Sequence, residues 1–184
     1  MAKTLFISVE DIKTFSSING NVDDNKIIQF ISIAQDLDLE VVLGTRLFNR
    51  VITEIESGTI STPIQLLLDK YIKPTLIHYA NARILPSIAY TIANGGIFKH
   101  SSENSETVSI DELNLLTEQS SSIAGQYADR MAKFLNYHNS DYPEYTNNTN
   151  EEIRPDRDPI YSPFELNGST ENARMIKGFY HRNK

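Results

Sequence analysis

The stretch SIDELNLLTEQSSSIAGQYADRMAKFLNYH, residues 109–138, decides the fold. It opens on Ser109-Ile110-Asp111-Glu112, a capping box: the Ser109 hydroxyl accepts from the Glu112 amide while the Glu112 side chain reaches back. From there Leu113, Leu116, Ser120, Ile123, Tyr127, Met131, Phe134 and His138 recur at spacings of three and four. Such a seam predicts a long helix that packs against other helices. Ser120, Ser121, Ser122 and Gly125 are poor helix formers, so their small size is expected to serve close approach by a neighbour.

Working outward, residues 63–94 are the most apolar part of the chain and predict a second long helical stretch. Leu66, Leu67, Tyr71 and Ile72 precede Pro74; Leu76, Ile77, Ala80, Ile84, Leu85, Ile88 and Ile92 follow. Thr62-Pro63-Ile64-Gln65 reads as its capping box, with Pro63 at the first helical position. Pro74 and Pro86 each remove a helical hydrogen bond and crowd the preceding turn, so a break or kink is expected at both. Gly58 and Gly95-Gly96 mark helix ends, and residues 95–107 read as a polar loop. A helix near residues 45–57 carries Leu47, Phe48, Val51, Ile52 and Ile55. Another runs from Asp24 to about residue 37, with Ile27, Ile31 and Ala34 on one stripe and Phe30, Ile33 and Leu37 on the next. A short helix follows Ser8, with Val9, Ile12 and Phe15 on one side.

After residue 138 the character changes. Residues 141–170 are dense in Asn, Asp, Glu, Pro, Ser and Thr, yet Tyr142, Tyr145, Ile160, Tyr161, Phe164 and Leu166 recur among them. Aromatic anchors on a polar chain predict an arm that becomes ordered on a partner. The fold class is therefore all-α: a helical bundle core of about four to five helices over residues 1–138, with an extended, irregular C-terminal arm over residues 139–184. Phe30, Phe48, Tyr71, Tyr127, Met131 and Phe134 are the candidates for core or subunit interface.

Composition and motifs bear on chemistry. The chain has no cysteine, which removes disulfides, thiolate nucleophiles and Cys-based zinc sites. No apolar run is long enough to span a bilayer, and the first residues lack the pattern of a secretory signal, which favours a cytosolic origin. A net charge of -7 argues against general nucleic-acid binding. That charge is uneven: residues 171–184 hold a local +3, leaving -10 on the rest. The sequence carries no phosphate-binding loop, dinucleotide fingerprint, nucleophile elbow or zincin motif. None of His78, His100, His138 and His181 has a second histidine three or four residues on. Asp23-Asp24 reads as a helix cap and Glu151-Glu152 as solvated tail. No catalytic residue, metal site or cofactor is expected.

Residues 26–37 (KIIQFISIAQDL) followed by Leu43-Gly44-Thr45-Arg46-Leu47-Phe48 resemble the head–tail connector, adaptor or head-completion proteins of tailed bacteriophages. The likeness continues through residues 68–80, Leu85-Pro86, residues 94–101 and Tyr127-Ala128-Asp129-Arg130. It is nearest to the versions from crAss-like phages, where Tyr142-Pro143-Glu144-Tyr145 is also similar, and it spans roughly residues 5–146. It lies in apolar spacing and a few Gly and Pro marks.

The resemblance implies a virion structural protein: a dodecameric ring below the portal protein that extends the DNA channel without binding DNA specifically. The ring offers a platform for tail or further neck ring proteins and would sit in the virion neck. It also implies a C-terminal segment that grips the portal, here Arg174, Met175, Ile176, Lys177, Gly178, Phe179, Tyr180 and Arg182. The alternatives are another neck ring, such as a stopper or tail-completion protein, and a soluble helical adaptor or scaffold.

Overall fold

The computed structural model describes residues 3–18, 22–93, 96–99, 109–147 and 153–155. Two rods of nearly unbroken helix organise it. The first joins α2 (Asp24–Ala34), a π turn (Gln35–Leu39) and α3 (Glu40–Leu43); the second joins α5 (Thr62–Leu67), a π turn (Leu68–Ile72) and α6 (Lys73–Ala89). Around them lie α1 (Val9–Phe15), α4 (Thr45–Glu56), α7 (Ile110–Tyr137) and α8 (Pro143–Thr146). The fold is all-α, a helical bundle. Its one departure among the described residues is an antiparallel ladder of β1 (Tyr90–Ala93) with β2 (Gly96–Lys99), in register Tyr90↔Lys99 to Ala93↔Gly96. The second helical stretch therefore ends at Ala89 rather than near residue 94. Part of the expected polar loop is strand.

The π turns follow from spacing. Ile27, Ile31, Gln35, Leu39 and Leu43 are all buried and all four residues apart. On a uniform α-helix such a series drifts about 40° per step and leaves the core within two turns. A wider π turn takes up the drift. Its second effect is to rotate Leu37, expected on an apolar stripe, out to 60 % exposure. Gln35 turns in instead. Its Oε1 accepts from the Phe6 amide and its Nε2 donates to the Thr4 carbonyl, each at 3.0 Å, so the N-terminal segment is tied to the rod.

The second rod repeats the device: Ile64, Leu68, Ile72, Leu76, Ala80 and Ile84 are buried at the same spacing. Here the π turn also solves the Pro74 problem. The Lys73 amide bonds to the Leu68 carbonyl, and the widened turn makes room for the proline ring where a regular turn would clash. No break occurs at Pro74, and Pro86 lies inside α6 without ending it.

Helix ends are met locally. Ser109 and Glu112 form the expected capping box, and Ser8 forms another with Asp11. Asp23 caps α2 by accepting from the Asn25 amide at 2.9 Å. The box expected at Thr62 does not form. Ser61 is the N-cap residue, and its amide and hydroxyl bond to Glu54 Oε2 at 2.8 and 2.7 Å, which ties the loop to α4 instead.

The helical core does not stop at residue 138. Tyr142 and Tyr145 are fully buried in it, the Tyr142 hydroxyl donating to the Pro63 carbonyl at 2.8 Å. Arg50 holds α8 against α4, bonding to Glu54 and Glu144 at 2.9 Å. These two tyrosines were expected to await a partner; their partner is their own chain. Further on, the Thr45 amide donates to the Ile153 carbonyl at 3.1 Å and the Ile153 amide to Thr45 Oγ1 at 3.2 Å. That seats Pro155 on Gly44, where a Cβ would lie 2.7 Å from the proline ring.

Gly44 has φ 75 and ψ 151, a region essentially reserved for glycine. We expect Gly44→Ala to cost about 2–4 kcal/mol through strain and the Pro155 clash, lowering Tm by several degrees. Gly125→Ala, on α7 with open space where its Cβ would stand, should raise stability by roughly 0.5–1 kcal/mol. Thermal melts of the two variants check both signs.

Candidate functional site

The second rod and α7 run antiparallel, as three pairs along them record. Tyr71 stacks on Phe134 with ring centroids 4.2 Å apart, His78 stacks on Tyr127 at 5.6 Å, and Asn81 Nδ2 donates to Ser120 Oγ at 2.8 Å. The buried stripe of α7 is Ser120, Ala124, Ala128, Met131, Ala132 and Leu135. Ser120, Ala124 and Ala128 are small, and they lie where α7 closes on α6. Ser121 and Ser122 are exposed, and Gly125 has space around it, so close approach does not explain those three.

A groove lies on each flank of this helix pair. One, of about 330 Å³, is lined by Leu37, Asp38, Val41 and Val42 of the first rod, Tyr79 of α6, and Ser121, Gly125, Ala128, Asp129 and Ala132 of α7. The other, of about 490 Å³, is lined by Asp11 and Phe15 of α1, Asp69, Lys73, Pro74, Ile77 and His78 of the second rod, and Tyr127 of α7. At 100° per residue, Tyr127 points about 140° away from the mean direction of the α7 residues in the first groove. The two grooves therefore face apart. Each touches one of the π turns.

The walls are electrostatically distinct. In the first groove the Asp38 carboxylate forms a two-pronged pair with Arg83, Oδ2 to Nε at 2.7 Å and Oδ1 to Nη2 at 2.8 Å, bracing the π turn against α6. Those bonds hold Arg83 above the usual arginine value despite its partial burial. In the second groove Lys73 bonds to Asp69 at 2.7 Å; outside its lining, the Arg130 guanidinium sits 5.0 Å over the Tyr71 ring. His78 is pushed below the ordinary imidazole range by burial, which disfavours the imidazolium.

Of the residues singled out in the sequence, Phe48 and Met131 belong to the core, Phe48 packing on Phe6 with centroids 5.2 Å apart. Phe30, Tyr71 and Phe134 are partly buried against the core, and Tyr127 lines a groove. Phe15, expected on the inner side of α1, is 66 % exposed at the groove rim. Arg174, Met175, Ile176, Lys177, Phe179, Tyr180 and Arg182 lie outside the described residues. Sequence reading missed Leu37 and Val41 as surface residues because nothing local announces the π turn that turns Leu37 outward. Among the described residues no three metal-ligating side chains converge, and His138 Nδ1 lies 3.9 Å from Asp141 Oδ2 at an open helix end. No helix among them is long and apolar enough to cross a membrane.

A family model described as a family of unknown function (DUF6712) matches residues 39–155, and the chain belongs to that family. The matched span runs from the end of the first π turn to the proline seated on Gly44. No curated protein and no solved structure matches the chain.

As the pH falls through 6.5, the unfolded chain takes up a proton that folded His78 resists. The stability this group contributes is complete above that pH and is lost below it. The urea midpoint should therefore decline between roughly pH 7 and pH 5, and His78→Gln should decline less. A His78 imidazole titrating at or above 6.5 by NMR contradicts the assignment.

Proposed function

We propose that this member of the DUF6712 family is a non-catalytic virion structural subunit. In this reading it assembles side by side into a ring, a head–tail connector or adaptor below the portal of a tailed phage. The ring extends the DNA channel and joins capsid to tail. One observation carries the reading: unlike grooves with exposed apolar rims on opposite flanks of α6 and α7. A subunit with two different, outward-facing surfaces is suited to a heterologous contact, and such contacts close into rings when the rotation allows. The pattern resemblance to phage connectors supplies the setting. The net charge of -7 fits a channel wall along which DNA slides without adhering.

A stopper or tail-completion ring would use the same flanks. A soluble helical adaptor is the second reading, favoured by how well the core is sealed: Phe48 and Met131 are spent inside the subunit. In the preferred reading the segment holding Arg174, Met175, Ile176, Lys177, Phe179, Tyr180 and Arg182 grips the portal, its aromatic pair giving contact area and its cations orientation.

Light scattering and native mass spectrometry of the purified chain, alone and with the portal protein, check this. A discrete ring-sized multiple of the 20.8 kDa chain, or co-migration with portal, is the expected result. A strict monomer with no portal affinity sinks the connector reading. Deleting residues 171–184 should abolish portal attachment and leave far-UV helicity unchanged.

A further inference from the structure

We propose that residues 153–155 form a latch that opens and closes on the folded bundle. Its catch is the elbow between α3 and α4, and its state sets where residues 156–184 depart from the body. The inference does not depend on the ring reading.

The chain that follows α7 is held in two tiers of unequal strength. The root is deep: Tyr142 and Tyr145 are fully buried, and Arg50 bonds to Glu144 at 2.9 Å and to the Asp141 carbonyl at 3.3 Å. The outer tier is shallow. Ile153 makes its two hydrogen bonds with Thr45 through its backbone, and its side chain is 46 % exposed. Arg154 is exposed, where a charged group gains little from a partner. Pro155 is the buried member of the three, its ring seated on Gly44. A segment attached by surface hydrogen bonds and one small ring opens locally well before the core does.

The catch stands without the latch. The Gly44 amide donates to the Glu40 carbonyl at 2.8 Å, the Phe48 amide to the Gly44 carbonyl at 3.0 Å, and the Thr45 hydroxyl to Glu40 Oε1 at 2.8 Å. None of these bonds involves the later chain. What the latch adds is a cap. Gly44 has no side chain to hold the first amide of α4, and the Ile153 carbonyl accepts from that amide instead. Released, the Thr45 amide faces water at a helix end, so opening does not unravel α4.

Opening lengthens the tether of the later chain. With the latch closed, residues 156–184 start at the elbow. With it open they start from Asn147, and residues 148–155 add up to roughly 25 Å to their span. The matched family unit runs from residue 39 to residue 155, so catch and latch both belong to it and residues 156–184 lie beyond it. A latch at that border controls the reach of whatever follows.

Hydrogen exchange of the full chain, read at single amides, tests this. The Ile153 and Thr45 amides should be protected at least ~10-fold over free peptide, yet exchange at least ~100-fold faster than Val51 within α4. Pro155→Gly should erase the protection at Ile153 and leave the Val51 rate unchanged and Tm within about 2 °C. Thr45→Val, which removes the hydroxyl acceptor, should also erase it, and Thr45→Ser should keep it. The absence of native cysteine allows clean spin labelling at Asn49→Cys, exposed on α4, and Asp158→Cys. The distance distribution between the two labels should be narrow with Pro155 in place and broaden in Pro155→Gly. An Ile153 amide as slow as Val51, or a Pro155→Gly variant that loses as much Tm as Tyr145→Ala, makes the segment an integral part of the bundle and overturns the proposal. An Ile153 amide with no protection overturns it from the other side, since the latch is then never closed. Equal distance distributions in the two labelled chains overturn the control of the tether.

Discussion

Everything in this fold depends on two series of buried residues set four apart, Ile27 to Leu43 and Ile64 to Ile84. An α-helix repeats every 3.6 residues, so such a series cannot stay on one face of a regular helix for long. The chain keeps both series inward by widening one turn in each rod. The cost is a weaker local hydrogen-bond pattern; the gain is a continuous apolar face along each rod. The π turns then set the surface. They push Leu37 out, open the second rod for Pro74, and place Asp38 and Asp69 beside the two grooves.

The closure of the bundle is a second constraint, and it comes from far along the chain. Tyr142 and Tyr145 bury two large rings in a core otherwise built from aliphatic residues and a few phenylalanines. Each ring hides about 150–250 Å² of surface, enough to hold the short α8 that could not persist alone. Arg50 adds direction by gripping Glu54 on its own helix and Glu144 on α8. The two-way hydrogen bonding of Ile153 with Thr45 and the seating of Pro155 on Gly44 finish the unit. The matched family span ends at that same proline. The glycine between Leu43 and Thr45 is thus explained twice, by its backbone angles and by the ring packed against it.

Two buried amides tie elements of the bundle together. Gln35 ties the first segment to a rod, and Asn81 joins α6 to α7 through Ser120 while lying 3.5 Å from the Ser17 hydroxyl. A buried amide left unpaired would cost about 1–3 kcal/mol, so these pairs fix how the elements meet as well as that they meet. The same logic separates core from surface on α7. Its inner stripe is narrow and made largely of small residues, which leaves both flanks of the helix outside the core.

The sequence by itself determined the helical class, the span of α7 and its capping box, the Asp23 cap, and the helix end at Gly58. These depend on contacts within one helical turn, and such contacts are written in neighbouring residues. Only the tertiary structure decided the rest. It converted Pro74 from a break into part of a π turn and moved the cap of the second rod to Ser61, whose polar groups Glu54 claims. It also placed Phe48 and Met131 inside while leaving Phe15 and Leu37 outside. Each of those outcomes turns on a partner tens of residues away or on a shift of helical register. An apolar side chain looks the same in sequence whichever side of the helix it is finally turned to.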